Sequence, residues 1–123
     1  MTTDRRAALV ALKDAVVVGD DAAFRRANRA VFSTPCQDMT AQMCVRNAYY
    51  AYKGSMNDAL ALLGAVLPGW GMGIIGPMSS GEYHATVLPR QDDPPEYHGN
   101  APTPARALLL ATLSALIEQE AQP

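Results

Sequence analysis

The sequence predicts an α+β fold: N-terminal helices followed by a helix-strand-strand-helix sandwich with a small antiparallel sheet. Three observations predict it. Residues 55–70 read S-M-N-D-A-L-A-L-L-G-A-V-L-P-G-W, a capped run apolar nearly all round that stops at Pro68-Gly69. Residues 70–88 then change to a period of two, the signature of strands. A last apolar helical run opens at Thr103-Pro104. With 123 residues, 49% of them hydrophobic, the chain fits one domain, 1–123, with a helical part at 1–54 and an αββα part at 55–123. A domain of this size buries roughly two thirds of its unfolded surface.

In chain order, Thr3 caps a first helix in which Leu9, Leu12 and Val16 recur on one face. Gly19 supplies its left-handed stop. Asp20 and Asp21 open a second helix whose apolar stripe is Phe24, Ala27 and Val31, with Arg25, Arg26 and Arg29 on the opposite side. Acids at the start and arginines later also match the helix dipole. The two helices are expected to form an antiparallel hairpin.

Thr34-Pro35-Cys36-Gln37 is a capping box with proline at the first helical position, so a third helix is expected from there to Gly54, with Asp38 as a rival cap. Cys36, Met39, Met43 and Tyr50 fall on one face, with Val45, Tyr49 and Tyr52 beside it. Sulfur and aromatic side chains at this spacing read as core or interface packing. Cys36 and Cys44 stand eight residues apart along this helix, about 12 Å of rise, too far for a disulfide. That suits a reducing compartment.

In the fourth helix Ser55 and Asp58 form a reciprocal cap. Met56, Leu60, Leu63 and Leu67 share one face, and Ala59, Leu62 and Val66 the next. A helix this apolar needs cover on more than one side, so it is expected at the centre, with Leu60, Leu63, Leu67, Trp70, Leu109 and Leu113 buried together. Trp70, Met72 and Ile74 alternate with Gly71, Gly73 and Ile75 in a first strand; Tyr83, Ala85 and Val87 alternate with His84, Thr86 and Leu88 in a second. Residues 91–102 read as a loop in which Glu96-Tyr97-His98 adds a short edge strand. The final helix buries Leu109, Leu113, Leu116 and Ile117 and turns Ser114 and Glu118 outward.

This second half resembles the phage ABA sandwich domain family, small proteins of bacteriophages and prophages. The resemblance rests on Tyr52 to Ser55 leading into Asp58, on Leu67-Pro68-Gly69-Trp70, on Ala85-Thr86-Val87, and on Thr103-Pro104-Ala105 followed by Ala107-Leu108-Leu109-Leu110. It covers roughly residues 50–118. The sequence departs from the pattern at Gly71-Met72, where relatives often place a second aromatic, and residues 1–49 carry no assigned motif. The resemblance implies an α/β sandwich and a viral genome, and no catalytic residues.

Gly71-Met72-Gly73-Ile74-Ile75-Gly76 spells the dinucleotide fingerprint G-x-G-x-x-G. That motif works only between a strand and a helix. Here a helix precedes it and Pro77 and a strand follow, so nucleotide binding is excluded there. Glu82-Tyr83-His84 and Glu96-Tyr97-His98 repeat a tripeptide holding both histidines. In extended chain Glu and His two apart share a face, so paired copies could offer two imidazoles and two carboxylates to zinc or to acid-base chemistry. A solvated sheet face explains the same residues more simply. Ser79 and Ser80 lack a G-x-S-x-G elbow, and neither cysteine has an activating histidine nearby in sequence.

Net charge is −2; residues 1–53 hold eight Lys and Arg against five acids, and residues 54–123 two against seven. Three arginines on one helical turn read first as a solvated face; as a site they suit an anion or an acidic protein patch and are thin for nucleic acid, which usually wants a stripe with stacking aromatics. No apolar run approaches membrane-spanning length, nor does the N-terminus contain a signal-peptide core. The reading is a non-enzymatic phage or prophage accessory protein without cofactor, acting in the bacterial host cytoplasm. It would bind a host protein through Arg25, Arg26 and Arg29, for example as an inhibitor of a defence system such as a CRISPR effector, and a homo-oligomer is compatible with this. The rivals are a small metal- or histidine-dependent enzyme using Glu82, His84, Glu96 and His98, and a virion assembly component.

Overall fold

A computed structural model of the chain describes residues 2–32, 39–89 and 95–121. They form α1 (Thr2–Val18), α2 (Asp21–Phe32), α3 (Met39–Tyr52), α4 (Met56–Val66), β1 (Gly71–Ile75), β2 (Tyr83–Leu88), β3 (Tyr97–Ala101) and α5 (Pro104–Ala121). The strands make one antiparallel sheet in the order β1-β2-β3. Met72 lies opposite Val87 and Val87 opposite Tyr97, so the expected inward set of alternate residues shares the core face. The third strand runs further than Glu96-Tyr97-His98 suggested, continuing through Gly99-Asn100-Ala101. Gly99 is the reason: a Cβ there would lie 2.5 Å from the Ala107 oxygen and 2.7 Å from the Ala111 nitrogen. The bare backbone of β3 therefore rests directly on the backbone of α5.

The fold is organised around α5, and the expectation of a central fourth helix is corrected. α5 packs on β2 and β3 and is touched by α1, α3 and α4. It buries Ala105, every residue from Ala107 to Leu113, Ala115 and Leu116. Ala107 and Ala111 let β3 come close at Gly99, where Leu110 also meets it. Thr112, buried among them, donates its hydroxyl to the Leu108 carbonyl at 2.9 Å. α4 instead buries Ala59, Leu62 and Leu63 and lies at the edge, so Leu60, expected in the core, is 42% exposed. Leu63, Leu67, Leu109 and Leu113 are buried as expected, and Trp70 is half-buried against them.

The caps sit close to where local sequence puts them. α1 begins at Thr2, one residue before the expected Thr3 cap. The Ala23 amide donates to Asp20 Oδ1 at 3.1 Å, and the Asp58 amide to the Ser55 hydroxyl at 3.3 Å. Gly19 adopts φ 84° and donates its amide to the Ala15 carbonyl at 2.8 Å, closing α1. Thr34, Pro35, Cys36 and Asp38 lie outside the described residues.

The face assigned to α3 is also corrected. Met43 is 53% and Tyr50 42% exposed, while Cys44, Asn47, Ala48, Ala51 and Tyr52 point inward. Small residues at 44, 48 and 51 let α3 approach its neighbours closely, and that gain outweighs burying a flexible methionine. Among the described residues, no helix is long and apolar enough to cross a membrane.

Candidate functional site: an arginine-tyrosine groove between α2 and α3

On α2, packing of Phe24, Ala27 and Val31 into the core leaves Arg25 and Arg29 one turn apart on the outer side. On α3, packing of Cys44, Ala48 and Ala51 leaves Arg46, Tyr49 and Tyr50 on the side facing α2. Between them is a groove of ≈ 430 Å³. The Arg25 guanidinium lies 5.6 Å from the centre of the Tyr49 ring, and that of Arg46 5.5 Å from the centre of Tyr50. The two tyrosine rings meet edge to face at 5.3 Å. Guanidinium groups held against aromatic faces are partly ordered in advance, which lowers the entropy lost when they engage an anion.

Asn28 forms the floor. It is 3% exposed, and its Nδ2 donates to the Val45 main-chain oxygen at 3.0 Å. Its Oδ1 is the one buried side-chain polar atom without a partner among the described residues.

The end of the groove is braced by Tyr52. This ring stacks on Phe24 with centroids 4.2 Å apart and planes at 9°, and its hydroxyl donates to Asp21 Oδ1 at 2.6 Å. Lys53 Nζ reaches the other carboxylate oxygen at 3.5 Å. The Tyr52 hydrogen bond, with Lys53 next, holds the Asp21 carboxyl below its ordinary value of 3.8. Burial first, and then the same hydrogen bond, pushes the Tyr52 phenol above its ordinary 10.0. Both shifts favour the pair as drawn, with a neutral phenol donating to an ionised carboxylate.

Of the arginines expected to bind a partner, Arg25 and Arg29 line the groove, whereas Arg26 is exposed beyond it. Sequence reasoning missed Arg46 and Asn28. The signal for Arg46 was present, since Arg46 and Tyr50 are four apart on one helix. Which helix faces α2 was not readable locally.

The other expected constellation is partly assembled on the outer face of the sheet. His84 Nε2 lies 3.1 Å from His98 Nδ1, His84 Nδ1 2.6 Å from Asn100 Oδ1, and His98 Nε2 3.6 Å from Glu96 Oε1. The Thr86 hydroxyl joins His98 Nδ1 at 3.1 Å. Glu82 stays apart, at the turn before β2, where its amide donates to the Ser80 hydroxyl at 3.4 Å. Three of the four ring nitrogens thus have hydrogen-bond partners within the protein. Among the described residues no group of three or more His, Cys, Asp or Glu side chains is placed to hold a metal ion. The row serves as a polar ladder joining β2 to β3.

No protein-family model matches the chain, and no curated protein or solved structure is significantly similar to it.

Proposed function

We propose that this protein is a binding module that holds an acidic surface of another protein in the α2–α3 groove. The observation that carries the reading is the convergence of Arg25, Arg29 and Arg46 from two helices around Tyr49 and Tyr50. Arginine and tyrosine are among the residues enriched at the energetic centres of interfaces, and Met43, exposed one turn before Arg46, extends the surface with an adaptable apolar contact. Three arginines give the groove an excess of positive charge, and a positive patch favours an acidic partner.

On the resemblance that residues 50–118 bear to phage ABA sandwich proteins, the partner proposed is a protein of a bacterial host, with a defence effector as the form to test first. The test is phage plating on a bacterium whose defence system is active. Expression of the wild-type protein is expected to raise plating efficiency, and a folded Arg25→Glu/Arg29→Glu/Arg46→Glu variant to lose the effect. Equal rescue by both proteins counts against the groove; rescue by neither across several defence systems counts against the defence role.

A further inference from the structure

We propose that the outer edge of β1 is a dimer interface, where β1 of a second copy of this chain pairs antiparallel and joins the two three-stranded sheets into one. This goes beyond the proposed function and does not rest on it, because β1 and the α2–α3 groove share no residue. In the order β1-β2-β3, β1 has a hydrogen-bonded neighbour on one side only. Among the described residues no main-chain hydrogen bond reaches its other side, and α5 packs chiefly on β2 and β3. Met72 and Ile74 therefore stay half-buried on the core face, while Gly73 is exposed and Ile75 is 65% exposed on the outer one. An open edge displays unpaired N–H and C=O groups, and folded proteins blunt such edges with lysine or other charges, proline or a bulge. The strand reads G-M-G-I-I, which has no charge and no proline, and it pairs with β2 residue for residue, without a bulge.

A second copy is the occupant because the strand complements itself. Pairing about a two-fold axis at Gly73 matches all five residues: Gly71 stands opposite the partner's Ile75, Met72 opposite the partner's Ile74, and Gly73 opposite the partner's Gly73. Residues opposite each other in an antiparallel ladder project to the same face. On the outer face each Ile75 thus lies over the strip that Gly71 leaves bare, toward Leu88, which flanks Gly71 in β2. On the core face Met72 and Ile74 of the two copies cover each other, completing a burial that α5 leaves unfinished. The glycines gain a reason as well. Glycine inside a strand weakens it and marks places where another backbone comes close, yet within one chain an added Cβ at Gly71 or Gly73 meets nothing within 4 Å, and neither has a positive φ. An uncharged edge gives a foreign strand no electrostatic preference, whereas two-fold pairing makes each favourable contact occur twice.

Analytical ultracentrifugation of the full chain compares wild type with Ile75→Lys, which places a charge on the edge at an exposed side chain. Wild type is expected to dimerise in the micromolar range, and Ile75→Lys, with an unchanged circular dichroism spectrum, to dissociate at least about tenfold more readily. Oxidative cross-linking of Gly73→Cys tests the register separately. Residues facing each other across an antiparallel pair have Cα atoms about 4.5–5.5 Å apart, within disulfide reach, and position 73 has room for the added side chain. Gly73→Cys is expected to give a covalent dimer. Val18→Cys, at a position 78% exposed at the end of α1, and wild type with its own two cysteines are expected to cross-link far less. Wild type that stays monomeric across the micromolar range, or a dimer equally stable in folded Ile75→Lys, overturns the interface. A dimer weakened by Ile75→Lys in which Gly73→Cys cross-links no better than Val18→Cys overturns the two-fold register. Should Ile75→Lys lose its native spectrum, the cross-linking comparison decides alone: preferential linkage at position 73 upholds the interface and its absence overturns it.

Discussion

The Arg106 guanidinium lies 4.4 Å from the centre of the Tyr52 ring and donates from Nε and one terminal nitrogen, at 3.2 and 2.9 Å, to the main-chain oxygen of the same tyrosine. α5 thus grips the C-terminal end of α3 at the residue that stacks on Phe24 of α2, and the central helix is tied to both walls of the groove. Lysine cannot reproduce a planar fork that stacks and donates twice. Arg106→Lys is expected to lower stability by about 1.5–3 kcal/mol, the range for hydrogen bonds to charged groups, as read from urea denaturation.

The same tyrosine sets a pH dependence with two limbs. The folded-state pKa of Asp21 is depressed, so its contribution is present above the ordinary value of 3.8 and is lost as pH falls through the lower folded value. The folded-state pKa of Tyr52 is raised, so its contribution is present below 10.0 and is lost as pH rises toward the higher folded value. Tyr52→Phe is expected to flatten both limbs in a plot of urea midpoint against pH; Asp21→Asn should remove the acid limb and shrink the alkaline one.

Gly99 fixes how closely the sheet sits on α5. A methyl group there meets backbone atoms of Ala107 and Ala111, which cannot rotate away. Gly99→Ala is expected to cost about 1–3 kcal/mol, the range for overpacking a core. Gly73→Ala, on the open side of β1 with nothing within 4 Å of its added Cβ, is expected to stay within about 0.5 kcal/mol of wild type. Thermal denaturation of the two variants makes the comparison.

The position of α5 at the centre gives a second contrast. Leu113 is fully buried and Leu60 42% exposed. Leu113→Ala is expected to cost about 2–5 kcal/mol by leaving a cavity, and Leu60→Ala less than about 1 kcal/mol. Equal losses would restore α4 to the centre.

Local signals in the sequence were legible because they act over four residues or fewer. Ser55 and Asp58 marked a helix start, Gly19 a stop, and the alternation of Tyr83, Ala85 and Val87 a strand with one buried face. Placement of whole helices was not legible, because periodicity shows how wide an apolar face is and leaves open what covers it. By its apolar width the run at 56–67 reads as the centre, ahead of that at 105–116, yet the alanines at 105, 107, 111 and 115 and the bare Gly99 are what allow α5 to lie between sheet and helices. For the same reason the spacing of Met43 and Tyr50 leaves open core or interface packing, and it is Cys44, Ala48 and Ala51 that fill the core. Half of the groove followed from Arg25 and Arg29; Arg46 and Asn28 needed the pairing of α2 with α3.

The central claim is that the α2–α3 groove is the working surface, and reversing its charge tests that most directly. Arg25→Glu/Arg29→Glu/Arg46→Glu is compared with Arg26→Glu, which changes charge on the same helix outside the groove. The measurement is the affinity of each folded variant for blocked hexaglutamate at low salt. The account predicts binding at least tenfold weaker in the triple variant, a loss of about 1.4 kcal/mol or more, with the wild-type constant nearly retained in Arg26→Glu. Wild-type affinity in the triple variant would contradict it.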